Sequence, residues 1–143
     1  MHIDTYTPDH AADDAQRDAV ASFLFKHLDQ FGDPKEHIRR AIDYALDPGR
    51  GGFVIAGRND EGIIGAVVVN DTGMGGYIPE HILVYIAVDR SQRGQGVGKR
   101  LMREAIGAAS GSIALHVEPD NPAKLLYESL GFTNKYLEMR LAK

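Results

Sequence analysis

Apolar residues recur along this chain with two different periods, and the changes between them mark out its elements. Near the start, Ile3 and Tyr6 alternate with Thr5 and Thr7, which predicts a short strand over residues 2–7. Pro8 and an Asp-rich stretch then open a helix. Its apolar positions, Ala19, Val20, Phe23, Leu24, Leu28 and Phe31, fall three and four residues apart, and Gly32 ends it. Asp33-Pro34-Lys35-Glu36 reads as a second helix start, with Asp33 as N-cap, Pro34 at the first helical position and Glu36 reaching back. Ile38, Ala41, Ile42, Ala45 and Leu46 form its buried stripe, and Asp47-Pro48-Gly49 stops it.

The period then changes. Residues 53–56 and 63–69 read as two strands of a hairpin joined by the loop 58–62. Gly73-Met74-Gly75-Gly76 is a flexible connection. The nearly continuous apolar run 81–88 predicts a central strand buried on both faces. Val97, Leu101, Met102, Ala105 and Ile106 return to helical spacing. Residues 113–117 read as another central strand, and Asn121-Pro122 starts a helix carrying Ala123, Leu126 and Leu130, which Gly131 closes. Leu137, Met139 and Leu141 alternate as a final strand. The order β-α-α-β-β-β-α-β-α-β predicts an α/β fold with a mixed sheet and helices on both faces. The unit 82–117 is expected to form a right-handed crossover between parallel strands.

Composition narrows the class. At 143 residues, 43% apolar and 25% charged, the chain is expected to be one globular domain spanning 1–143. It has no Cys, so disulfides and thiolate metal sites are excluded. No apolar run approaches membrane-spanning length and no leader pattern opens the chain, so a cytoplasmic protein without a membrane partner is the expectation. The net charge is −4, and residues 1–50 account for all of it, which disfavours a nucleic-acid partner.

Against that acidic background, Arg90, Arg93, Lys99, Arg100 and Arg103 follow one another with no acid among them. They surround Arg93-Gly94-Gln95-Gly96-Val97-Gly98-Lys99, which lies between the apolar run and the next helix. A strand, a glycine-rich turn and a helix start make an anion cradle. Glycines remove the Cβ atoms that keep a ligand off the backbone, and the freed N–H groups sit at the positive helix end. A triphosphatase loop is excluded, because position 93 is Arg where Gly is needed and position 100 is Arg where Ser or Thr is needed. A dinucleotide fingerprint fails at Lys99.

The pattern that fits is R-x-x-G-x-G, met by Arg93, Gly96 and Gly98 after the strand end Ile86-Ala87-Val88. Here the chain resembles the GCN5-related N-acetyltransferases (GNAT). A second signature of that family follows, as Asn121-Pro122-Ala123-Lys124-Leu125-Leu126-Tyr127-Glu128-Ser129-Leu130-Gly131-Phe132. The resemblance is specific over about residues 86–132 and follows the element order of nearly the whole chain. It implies the acyl-CoA N-acyltransferase fold, acetyl-CoA as cosubstrate without a metal, and an amine acceptor. Dimers are common in such folds, though no residue in this chain requires one.

The resemblance also implies roles. The backbone of Gly94, Gln95, Gly96, Val97 and Gly98 would hold the pyrophosphate, with Arg93, Lys99 and Arg100 as supporting cations. Ile86, Ala87 and Val88 mark where the sheet splays, with Ile86 and Val88 offering free backbone groups to the pantetheine arm. A strand N–H there can also hold a developing oxyanion. Asn121 would bind the same arm, or cap the last helix, or both. Tyr127 would protonate the departing thiolate, the alternative being a core tyrosine. For the general base, the family's strand glutamate is replaced by Ile82. Glu80 lies two residues earlier on the same face and Glu118 ends the next strand, while a solvated carboxylate is the bland reading of either. His81 points to the opposite face, and His116 reads as a hydrogen-bonded core histidine. His2, His10, His27 and His37 have no metal-ligand spacing. Direct transfer from acetyl-CoA to a primary amine is the expected activity. A non-catalytic acyl-CoA-binding sensor or assembly module is the alternative. The acids of the first two helices and the loop 28–36 would favour a cationic amine, unless they merely solvate helix faces.

Overall fold

A computed structural model describes all residues, 1–143. Its elements are β1 (His2–Tyr6), α1 (Asp14–His27), α2 (Lys35–Ala45), β2 (Gly52–Asn59), β3 (Gly62–Asp71), β4 (His81–Val88), α3 (Val97–Ala108), β5 (Ile113–Leu115) and α4 (Ala123–Ser129). One five-stranded sheet runs in the order β1-β2-β3-β4-β5. All neighbours are antiparallel except β4 and β5, which lie parallel on either side of α3.

Each face of the sheet carries its own apolar layer. On one side α1 and α2 bury Val20, Leu24, Ile38 and Ile42 against Val54, Ala56, Val68 and Ala87. On the other, α3 and α4 bury Leu101, Met102 and Tyr127 against Ile55, Val67, Val69 and Leu83. Asp13 begins α1 with a reciprocal box, in which Gln16 N–H donates to Asp13 Oδ1 (2.8 Å) and Asp13 N–H to Gln16 Oε1 (2.9 Å). Arg17 and Arg39 tie α1 to α2 through Asp43 and Asp14.

Several expectations are corrected. The first helix stops at His27, and Phe31 lies in a separate 3-10 turn. Asp33 does not cap α2, since its carboxylate accepts a hydrogen bond from the Tyr85 hydroxyl instead. The strand at 113–117 is a three-residue edge strand rather than a central one. His116 therefore lies beyond its end and is exposed, not in the core. β2 and β3 are the strands buried on both faces, whereas β4 is half-covered beyond Leu83 because β5 is too short to flank it. No final strand forms. Leu137, Met139 and Leu141 are 84%, 91% and 83% exposed, and alternation without a ladder partner does not make a strand.

Leu101 is fully buried between the sheet and α3, and a Cβ on Gly65 would sit 2.4 Å from its Cδ1. Leu101→Ala should lower unfolding free energy by about 2–5 kcal/mol in denaturant titration. Gly65→Ala should cost less in the Leu101→Ala background than alone, because the clashing methyl is gone.

Candidate functional site

The site grows from an irregularity in β4. The register pairs Leu83 with Val69 and Tyr85 with Val68, so Val84 is an extra residue without an opposite. Such a bulge reverses the facing of everything after it. Val84 and Tyr85 both pack on the α1–α2 side, while Leu83, Ile86 and Val88 pack on the α3–α4 side with Tyr127. Pairing with β5 covers only His81, Ile82 and Leu83. Beyond that point β4 has no second neighbour. Asp89 N–H donates to Ile64 O of β3 (2.8 Å). By alternation Ala87 and Tyr85 also face β3, and the backbone groups of Ile86 and Val88 face the open side. The two positions expected to offer free backbone groups are thus the ones on the open edge.

β4 runs through a 3-10 turn into the glycine loop. Gly94 and Gly96 have φ of 77° and 83°, the left-handed region that side chains disfavour, and no atom lies within 4 Å of where their Cβ atoms would be. α3 starts at Val97 with no side chain capping its first amides. At Gly98 the first turn of α3 faces Leu126 and Val88, which would lie 3.4 and 3.5 Å from an added Cβ, at ordinary contact distance. The loop therefore presents main-chain amides at a positive helix end, with a bare surface in front of them.

Arg93 is not a free cation. Its Nε donates to Val88 O (3.1 Å), Nη1 to Asp29 Oδ2 (3.2 Å) and Nη2 to His27 O (2.8 Å). Arg90 joins it on Asp29. Both guanidinium groups hold the Asp29 carboxyl below the usual carboxylate range, the Arg90 hydrogen bond most strongly. Asp29 adopts a positive φ of 56°, which Asp tolerates better than most residues. These contacts make Arg93 a staple that fixes the end of α1 to the start of the glycine loop. Lys99 and Arg100 remain exposed and form no ion pair.

Tyr127 projects from α4 into the α3–α4 core and is 7% exposed. Its phenol is pushed up to about 12 by burial alone, with no hydrogen bond contributing. Asn121 Oδ1 accepts from Ala123 N–H (2.9 Å), a capping contact that leaves its amide N–H groups uncommitted. Glu80 lies elsewhere. It precedes β4, about 20 Å along the strand from Ile86 at ~3.3 Å per residue. Its carboxylate accepts from Ser112 N–H (2.8 Å) and Gly76 N–H (3.4 Å). The Ser112 contact contributes most to holding it below the usual range, so it is both remote from the glycine loop and a poor proton acceptor. Its position is that of a loop anchor.

Two features escaped the sequence. Tyr85 donates to Asp33, which brings the α1–α2 connection over β4 beside the bulge, and burial raises the Tyr85 phenol well above its ordinary range. His27 is buried under Phe23, with ring centroids 4.6 Å apart, and burial lowers its pKa. The insertion of Val84 had no local signal, because every residue of β4 near it is apolar or aromatic.

Residues 49–134, more than half of the chain, match the acetyltransferase (GNAT) domain family. Over 57 residues the chain is 44% identical to the N-alpha-acetyltransferase RimI of Mycobacterium tuberculosis, covering 38% of this chain and 36% of that protein. The chain spans 36% or less of the length of the curated relatives it matches. A ribosomal-protein-alanine N-acetyltransferase from Brucella melitensis biovar Abortus 2308 superposes with a TM-score of 0.69 at 17% identity, covering 100% of both chains. The aminoglycoside N-acetyltransferase AAC(6')-Iy, solved with CoA, superposes with a TM-score of 0.69 at 19% identity, covering 99% of this chain and 95% of that one.

If the Arg93 fork works as a staple, charge alone will not replace it. Arg93→Lys and Arg93→Ala should weaken CoA binding equally, by roughly tenfold for each ~1.4 kcal/mol of lost loop order. Calorimetric titration of the two variants checks this, and recovery of affinity in the Lys variant alone would mark Arg93 as a phosphate contact.

Proposed function

Because this chain belongs to the acetyltransferase (GNAT) domain family, we propose that it transfers an acetyl group from acetyl-CoA to a primary amine by direct attack in a ternary complex. The observation that carries the reading is the open half of β4, which runs directly into an amide-lined glycine loop with Tyr127 packed beside it. Amides of residues 94–98 would bind the pyrophosphate, with Lys99 and Arg100 within the same helix turn as supporting charge. Ile86 and Val88 would hold the pantetheine arm as a strand neighbour would, and Asn121 would donate its free amide to the same arm. Ala87 has its backbone turned to β3 and contributes its buried methyl to the wall on the far side.

Acetyl-CoA supplies an activated thioester. The amine nitrogen forms the new N–C bond as the C–S bond breaks, and an N–H on the open edge of β4 meets the charge that develops on the carbonyl oxygen. The acceptor's proton passes to solvent water, since Glu80 is committed to its two amides. Tyr127 donates its phenolic proton to the departing sulfur. A phenol near 12 is a weak acid, so the donation depends on placement. The burial that raises the phenol raises a thiolate beside it as well.

The acceptor would approach on the α1–α2 side of the bulge, where Tyr85 and Asp33 lie. Asp29 is neutralised by Arg90 and Arg93, which leaves Asp33 as the carboxylate facing this part of β4. That arrangement supports a cationic amine, such as a polyamine, an amino acid, or a lysine or N-terminal amine.

Tyr127→Phe should lower kcat by about 10²-fold or more while acetyl-CoA affinity stays within about twofold. Because the phenol keeps its proton until about pH 12, the wild-type kcat profile should show no alkaline fall from this group at pH 7–10. Free-thiol release across cationic and anionic amines should favour the cations. Preference for anionic amines would remove the Asp33 assignment, and CoA binding without turnover on any amine would point to the binding-module alternative.

A further inference from the structure

At the other end of β4, three side chains meet that the acetyl-transfer reading does not use. His81 is 6% exposed, packed edge-on against Phe53 with ring centroids 6.4 Å apart. With its proton on Nδ1, it donates to Asp71 Oδ1 at 2.8 Å. Its Nε2 is then left to accept from Ser110 Oγ at 3.3 Å. The acid is itself held in place: Asp71 N–H donates to Gly51 O (3.0 Å), and Asp71 O accepts from the Tyr44 hydroxyl (2.8 Å). The serine, by contrast, lies on an exposed loop. A hydroxyl on a buried imidazole, itself oriented by a carboxylate, is the arrangement that activates a serine nucleophile.

The surrounding loop adds two further parts. The amides of Ser110 and Gly111 make no hydrogen bond within the chain, so two donors in the serine's own segment are uncommitted. Ser112 N–H is committed to Glu80 Oε1, which fixes the loop, and an added Cβ on Gly111 would sit 2.4 Å from the same oxygen. Glu80 also accepts from Gly76, which ties in the loop carrying the exposed Met74, Tyr77 and Ile78. Glu80 thus joins a segment with an apolar surface to the segment that carries the serine.

We propose that Ser110, His81 and Asp71 form a second, nucleophilic site on this chain, which takes the acyl group of small apolar esters. Ser110 Oγ attacks the ester carbonyl and its proton passes to His81 Nε2. The amides of Ser110 and Gly111 receive the charge on the carbonyl oxygen. The ester C–O bond breaks and the His81 proton goes to the departing alkoxide. Water then repeats the sequence on the acyl-serine, releasing the acid and restoring the hydroxyl. Glu80 is a positioning residue in this site.

The test is covalent labelling of the full chain with an alkyl fluorophosphonate, where the Oγ–P bond forms as fluoride leaves. Peptide mapping by mass spectrometry reads which serine is modified. Ser112, exposed two residues away and outside the triad, is the internal control. The expected result is one adduct, on Ser110. It should disappear in Ser110→Ala, slow tenfold or more in Asp71→Asn, and vanish in His81→Gln. Ser110→Ala should retain CoA binding, which separates this site from the acetyl-transfer reading. No adduct on Ser110, equal labelling of Ser112, or an unchanged rate in Asp71→Asn each overturns the proposal. The last two outcomes are read even if His81→Gln does not fold.

Discussion

A backbone N–H or C=O that loses its ladder partner must find another, and β4 loses its partners on one side after only three residues. β5 ends at Leu115 and reaches no further than Leu83. From there to Val88 the open-side groups have no strand beside them, while β3 pairs the strand's other side. One of them, the Val88 carbonyl, is taken by Arg93. The others need water or a molecule that can lie alongside as a strand does. A pantetheine arm, with two amide groups spaced along a thin chain, meets that requirement.

The bulge at Val84 turns this edge into a site with two sides. Without it, strict alternation would put Tyr85 on the α3–α4 side together with Leu83, and Ile86 and Val88 on the other. With it, Ile86 and Val88 join Tyr127, and Tyr85 meets Asp33 beneath the α1–α2 connection. One inserted residue thus separates a side lined by apolar groups and a phenol from a side that carries a carboxylate. The Arg93 and Arg90 contacts to Asp29 hold the covering segment in register with the glycine loop. A shift of α1 would therefore be felt at the glycine loop and at the Tyr85–Asp33 contact together.

What the sequence disclosed follows the range of the forces involved. The helices α2 and α3 were legible because burial acts on every third or fourth residue, and β3 because a strand buried on both faces leaves a continuous apolar run. The glycine loop was legible because positive φ leaves a compositional trace. Tyr127 and Asn121 were singled out only through the resemblance of their segment to the family's second signature. The intrachain partners of Glu80 and Arg93 were not legible, for one shared reason. A charged residue beside a motif does not reveal whether its partners are a ligand or the backbone of a distant segment, and here Ser112 and His27 are 32 and 66 positions away. The terminal alternation at Leu137, Met139 and Leu141 was misread because a face pattern says nothing about whether a neighbouring strand is within reach.

The two ends of β4 solve one problem in opposite ways. At the Val88 end the strand edge stays open, and the surrounding charges are arginines that draw a segment close without covering the edge. At the His81 end β5 closes the edge, and Glu80 and Asp71 secure the flanking loops through backbone contacts. At that end the loop leaving α3 meets β4 twice, as His81 N–H donates to Ser112 O (3.1 Å) and Ser110 Oγ reaches the His81 imidazole. The short β5 thus bears on both ends: its three pairs lie beside the serine–histidine–aspartate contact, and its early end leaves the backbone of Ile86 and Val88 without a strand neighbour.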